Sequence, residues 1–373
     1  MKNGEKFNSE LPQIRILIAP LDWGLGHATR CIPIIKELFS QHCAVIIAAS
    51  DAPLFLLKKE FPKAVFLRNR GYQVKYSSSG RLLPVRLLLQ LPGIILSVWR
   101  ERAWLRKVIK EYGLDAVISD NRPGMYNKSI PCVYITHQLH IKTGRAFSEK
   151  IVKKVHSQFI KKYSTCWVPD IEQNSLAGAL SHPAQIPSNV LYIGPLSRFE
   201  KINGVPLIYN LLISLSGPEP QRTIFEKIIL GQLRTFKKKV LLVRGLPGEN
   251  KALQTGVQSL EIVNHLPAEK LNRAFLQAEM IISRSGYSTI MDLVKIGRNA
   301  ILVPTPGQTE QEYLAGYLAE KKYFYAVQQN NFSLERALAQ ASLFPFKKPV
   351  FPENDYKKAV GQFVESLKPQ DTW

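Results

Sequence analysis

The run Ile281-Ile282-Ser283-Arg284-Ser285-Gly286-Tyr287-Ser288-Thr289-Ile290-Met291-Asp292-Leu293 is followed by Ala300-Ile301-Leu302-Val303-Pro304-Thr305-Pro306-Gly307-Gln308-Thr309-Glu310-Gln311. A short apolar strand ends in small and hydroxylated residues, and an amphipathic helix follows. Gly297 stops that helix, a second apolar strand comes next, and a polar loop opens another helix near Thr309. The pattern is a β-α-β unit with two helix N-termini placed after two strand ends. In a parallel sheet both loops fall on the edge where ligands of open α/β folds bind. The free N–H groups of such a helix start favour an anion, above all a phosphate.

Ser283-Arg284-Ser285-Gly286-x-x-Thr289-x-x-Asp292, with a strand ending in Val303-Pro304 and the loop Gln308-x-Glu310-Gln311, resembles the donor half of GT-B glycosyltransferases, most closely family 28. The resemblance implies an α/β fold of two Rossmann-like, doubly wound domains facing a cleft, with a C-terminal helix crossing back. It divides the chain into an acceptor domain (1–200), a nucleotide-sugar donor domain (207–345) and a returning helix (346–373). The expected activity is metal-independent, inverting transfer from a nucleotide-sugar, with UDP the expected nucleotide, and no cofactor. Within the same fold, nucleotide-sugar hydrolases and epimerases are the alternative.

Moving outward, the chain has 373 residues, enough for two α/β domains with their own cores. An apolar content of 45% and a mean hydropathy of −0.09 place it among globular chains rather than disordered ones. Cys31, Cys43, Cys132 and Cys166 have no ligand or disulfide spacing and read as buried thiols of a reducing compartment. The polar first residues lack a secretory signal, which points to the cytoplasm. The 50 Lys and Arg outnumber the 29 Asp and Glu, giving +21, a charge that seeks a polyanion: nucleic acid or an anionic membrane face. No nucleic-acid module is present, so a basic nucleic-acid-binding protein is the weaker alternative. The first loop lacks GxGxxG, which argues against a dinucleotide oxidoreductase.

The first strand, 13–20, turns through Asp22-Trp23-Gly24-Leu25-Gly26-His27 into a helix, and the glycines permit tight turning beside a ligand. Similar enzymes carry a Gly-rich loop ending in Gly-His here. Between Ser77 and Lys110, arginines interleave with leucines and tryptophans: an interfacial helix at 81–107 touching the membrane, or a buried helix pair with snorkelling arginines. Later strands end at Asp120-Asn121 and His137-Gln138, on the same edge as His27, which makes Gly24, Gly26, Asp120, Asn121, His137 and Gln138 the expected acceptor-binding residues. Residues 199–208 read as the linker.

Transfer requires a held diphosphate, an oriented sugar and an acceptor hydroxyl that loses its proton. The helix start Ser285-Gly286 with Ser288, Thr289 and Arg284 is the expected diphosphate site, joined by the Ser216-Gly217 loop. By resemblance, Asp292 holds the ribose hydroxyls, the loop with His265 and Leu266 meets the base, and Glu310 and Gln311 grip the sugar. Gln308, at the start of that loop, and Arg244, at a neighbouring strand end, belong to the same donor group. The acceptor, by the same resemblance, is lipid-linked and lies at the inner membrane face. His27 is the candidate base, its imidazole being suited to neutral pH; alternatively it positions the acceptor while Asp120 or water takes the proton.

Overall fold

The computed structural model describes residues 13–69, 83–142, 146–251, 253–351 and 355–369. Residues 77–82 of the interleaved stretch, 81 and 82 of its expected membrane contact among them, lie outside these. The N-terminal half runs β1 (Arg15–Pro20), α1 (Gly26–Ser40), β2 (Ala44–Ala49), α2 (Asp51–Glu60), β3 (Val65–Arg68), α3 (Leu83–Tyr112), β4 (Ala116–Asp120), β5 (Cys132–Ile135), α4 (Ala146–Ile160), β6 (Thr165–Val168) and β7 (Val190–Tyr192). Its parallel sheet has the order β3-β2-β1-β4-β5-β6-β7.

The C-terminal half repeats the scheme. It runs β8 (Tyr209–Ser214), α5 (Gln221–Leu233), β9 (Val240–Val243), β10 (Leu260–Val263), α6 (Ala268–Leu276), β11 (Ala278–Ser283), α7 (Tyr287–Ile296), β12 (Ala300–Leu302), α8 (Thr309–Glu320), β13 (Tyr325–Ala326), α9 (Leu334–Leu343) and α10 (Asp355–Ser366). The second sheet is also parallel, in the order β10-β9-β8-β11-β12-β13. In each half the order reverses beside the first strand, and the crevice at such a switch point is where open α/β sheets bind ligands.

The central strands β1, β2, β4 and β5 are apolar on both faces because helices cover both. Register sets the site: Pro20 pairs with Asp120 at the end of β4, so the β1 loop and the β4 carboxylate leave the sheet together. Likewise Ser283 lies level with Ser214 and Leu302. Helix α7 ends at Gly297 in the left-handed region, φ 65°, where glycine avoids the Cβ clash.

Helix α10 returns to the N-terminal half. Its Gly361 lies against Gln41 beyond the end of α1, and Phe363 meets Trp167 edge-on at 5.7 Å. Helix α3 is one continuous helix of 30 residues rather than a pair, its backbone carrying through Pro92. From residue 95 onward Val98, Leu105 and Val108 are buried, while Ile95, Leu96 and Trp99 are exposed.

Candidate active site

Helix α1 begins in the glycine loop, where Gly24 adopts φ 78°. That start places His27 at the mouth of the cleft and Arg30 one turn deeper. Asp120, at the end of β4, is fully buried. The Arg30 guanidinium holds it with a fork: Nε donates to Oδ2 at 2.8 Å and Nη2 donates to Oδ1. Burial opposes ionisation of Asp120, yet the charge of Arg30, with His27 and the hydrogen bonds, holds its carboxyl far below the usual range. His27 Nδ1 lies 3.3 Å from both Asp120 oxygens and 2.9 Å from Arg30 Nη2. Burial and the charge of Arg30 outweigh Asp120 and lower the His27 pKa, so the ring is neutral at pH 7.

The cluster crosses to the other half of the molecule. Arg30 Nη1 donates to His137 Nδ1 at 3.0 Å, and His137 Nε2 lies 2.8 Å from Glu310 Oε1. Gln138 Nε2 donates to the second Glu310 oxygen. Burial works against the Glu310 carboxylate, but His137, His27 and Arg30 still hold its pKa below the ordinary value. The start of α7 docks in the same place. Ser288 Oγ donates to the Gly26 carbonyl at 2.7 Å, Tyr287 donates to the Pro169 carbonyl, and its ring stacks on His137 at 4.1 Å. A Cβ at Gly26 would lie 3.3 Å from Ser288 Oγ, so the close approach needs glycine.

Other expected residues turn inward. The guanidinium of Arg284 is 1% exposed and donates to the carbonyls of Val303, Pro304 and Gln221 and to Gln329 Oε1, with Phe225 beneath it at 4.5 Å. Burial lowers its pKa to about 10. The expectation that Arg284 faces the diphosphate is therefore corrected: it ties loops together from behind. Gln311 accepts from the Thr305 N–H and donates one of its two amide hydrogens to Gln308 Oε1. Ser285 donates to the Gln311 carbonyl, and Arg244 pairs with Glu226 and donates to Asn264. Asn121, at φ 57°, accepts from Tyr134 and serves the turn after β4.

Asp292 is buried at the joint between the halves. Its carboxylate accepts from Ser197 Oγ at 2.7 Å and pairs with Arg198 at 3.4 Å. Burial raises its pKa, with Arg198 and Ser197 pulling the other way. Burial, followed by Arg198 and Lys59, lowers His265 to about 4. Leu266 packs partly buried against the main core, and Ser216, Gly286 and Thr289 are half-buried at loop and helix starts. Gly217, at φ 100°, leaves a gap beside Thr305, whose buried hydroxyl oxygen has no hydrogen-bond partner among the described residues. Reading the sequence passed over Thr305 and Arg30. The signal for Arg30 was present as a cation one helical turn past His27. Among the described residues no cluster of three His, Cys, Asp or Glu side chains could hold a metal ion.

Residues 221–370 match the model of the glycosyltransferase family 28 C-terminal domain, over the half that carries α7, α8 and their loops. The chain has the GT-B fold, and its C-terminal half resembles the donor domain of family 28 glycosyltransferases. The chain is 22% identical over 336 residues to an uncharacterized glycosyltransferase of Methanosarcina acetivorans, covering 83% of this chain and 84% of the relative. It is 24% identical over 221 residues to the UDP-N-acetylglucosamine–N-acetylmuramyl-(pentapeptide) pyrophosphoryl-undecaprenol N-acetylglucosamine transferase of Buchnera aphidicola, covering 56% and 58% of the two chains. Among solved structures, the glycotransferase of kitacinnamycin aligns over 95% of each chain with a TM-score of 0.61 at 13% identity, a likeness of fold.

Proposed function

We propose that this protein moves a sugar from a UDP-sugar, with inversion and without a metal, onto a lipid-linked acceptor at an anionic membrane face. The observation that carries the reading is the meeting of His27 and Asp120 from one half with Glu310 and the start of α7 from the other. Acid-base and sugar-orienting groups then share one cleft, while the free N–H groups of α7 supply the favourable end of a helix dipole for the leaving diphosphate. The UDP-sugar and the undecaprenol-linked acceptor are brought over from the Buchnera relative.

In this reading residues 1–200 bind the acceptor, 207–345 bind the donor and 346–373 brace the two. Thr305 Oγ1 and the Ser216-Gly217 backbone border the diphosphate, with Ser288 and Thr289 at the helix start. Asp292 exchanges the Ser197 hydroxyl for a ribose hydroxyl when donor enters. Glu310 receives the sugar hydroxyls. His27 takes the acceptor proton as the acceptor oxygen attacks the anomeric carbon and the nucleoside diphosphate departs with the bonding pair.

Calorimetric titration with UDP, GDP and TDP tests the donor half. UDP is expected to bind, and Asp292→Ala to weaken it by about tenfold or more, equivalent to roughly 1.4 kcal/mol. A melting curve of the variant shows that it is folded. Absence of binding by all three nucleotides to the wild type would refute the donor assignment.

A further inference from the structure

The geometry points to Arg30 as the residue that sets the proton positions of the cleft: it holds both His27 and His137 as Nε2–H tautomers. In this arrangement His27 offers a proton rather than a lone pair to the cleft, and becomes a base only when Arg30 releases its Nδ1. The consequence for catalysis rests on the function proposed above; the proton positions do not.

A guanidinium has five N–H donors and no acceptor, so any nitrogen it bonds must be a bare lone pair. Arg30 is 3% exposed and uses four of those donors within the cluster: two on Asp120, one on His137 Nδ1 and one on His27 Nδ1. For His137 both ends of the ring agree. Nδ1 receives from Arg30, so a neutral ring carries its proton on Nε2, and Nε2 faces a carboxylate oxygen of Glu310 at 2.8 Å, which accepts.

For His27 two partners compete for Nδ1. Donation to Asp120 would span 3.3 Å, at the long limit of a hydrogen bond, to oxygens that already accept from Arg30 and, on Oδ2, from the Cys31 thiol. Donation from Arg30 spans 2.9 Å. The shorter contact prevails, Nδ1 is bare, and the proton sits on Nε2. The charged or titratable groups around His27 are Arg30 and Cys31 from α1, Asp120 from β4, His137 after β5, Tyr287 from α7 and Glu310 from α8. Arg30 is the one whose removal both leaves Asp120 without a cation, with only the Cys31 thiol donating to it, and frees Nδ1. His27 Nδ1–H then donates to Asp120, and Nε2 acquires the lone pair that general-base catalysis requires.

Long-range proton–nitrogen correlation spectra of protein labelled with 15N-histidine read the tautomers across pH without any substrate. His27→Gln and His137→Gln spectra assign the two rings. In the wild type both rings are expected as Nε2–H with bare Nδ1. In Arg30→Met, His27 is expected to switch to Nδ1–H, and its titration midpoint to rise by about one pH unit or more, because a carboxylate no longer paired with a cation now faces it. Arg30→Lys retains the charge without the fork, so the same switch is expected with a smaller rise; it serves if the Met variant fails to fold. A wild-type His27 with Nδ1–H, or a tautomer unmoved in the folded variant, overturns the proposal. A merely structural Arg30 would lower the melting temperature and leave the ring protons where they were. Nucleotide titration is independent of this readout, so failure of the donor site and failure of the Arg30 assignment are separable.

Discussion

Two buried arginines show how partners decide a residue's role. Arg30 meets a carboxylate and two imidazoles, so its charge acts on groups that can change protonation. Arg284 meets three carbonyls and an amide, so its charge is spread over fixed dipoles that hold β12, α5 and the loop at Gln329 together. Arg284→Met should cost stability, since each buried acceptor left without a donor costs about 1–3 kcal/mol. Denaturant unfolding is expected to show a loss of roughly 3 kcal/mol or more. A loss of nucleotide affinity with unchanged stability would instead return Arg284 to the diphosphate. The sequence identified the loop that contains Arg284 but not the direction of its side chain, because both orientations suit the same Ser-Arg-Ser-Gly string. His27, Asp120, His137 and Glu310 were legible as strand-end and helix-start residues; their mutual contact depends on how the halves close.

At the scale of elements, α7 and α8 were readable from apolar periodicity, a Gly stop and polar starts, and their observed limits, Tyr287–Ile296 and Thr309–Glu320, follow those signals. Helix α4 carries no such distinctive punctuation, whereas α9 is marked in the sequence by Ser333, which caps it by accepting from the Arg336 N–H, although it was not among the expected elements. For α3 the sequence leaves one interfacial helix or a buried pair open, and a single helix forms although Pro92 lies inside it, where proline normally breaks a helix. None of the described helices is long and apolar enough to cross a membrane. On α3, Ile95, Leu96 and Trp99 project from the side opposite Val98 and Leu105, and Trp99 is 69% exposed. Arg100, Arg106 and Lys107 are exposed beside them. Apolar residues ringed by cations suit anionic lipid. Co-sedimentation should show binding to anionic vesicles but much less to neutral ones. Burying a large apolar side chain is worth about 1.5 kcal/mol or more, so Trp99→Ser should weaken vesicle binding roughly tenfold. Equal binding by wild type and variant would remove α3 from any membrane contact.

Across the whole molecule, two halves built on one strand order meet through a shared apolar cluster and polar contacts, and acid should loosen the structure in a defined sequence. His156 and His265 have folded-state pKa values lowered to about 4 from 6.5, chiefly by burial. Below 6.5 the unfolded chain takes up protons that the folded one refuses. Their contribution to stability is therefore complete above 6.5 and lost as pH falls toward 4. Asp120 and Glu310, whose pKa values are lowered, release their contribution only at still lower pH, below the ordinary carboxylate range. Glu101 and Asp292 have raised values, so protonating them in acid favours the folded state and offsets part of the loss. Total stability against pH thus mixes both signs, and a difference measurement isolates one. His156 packs edge-on against Tyr134 at 6.0 Å, its Nε2 is buried without a partner among the described residues, and the bond to the Gln138 backbone that a leucine removes is a cost that does not follow the titration. The unfolding free energy of His156→Leu minus that of the wild type is expected to be flat above pH 6.5 and to rise steadily from there to pH 4. A flat difference throughout would mean that His156 is protonated as readily in the folded protein as in the unfolded chain.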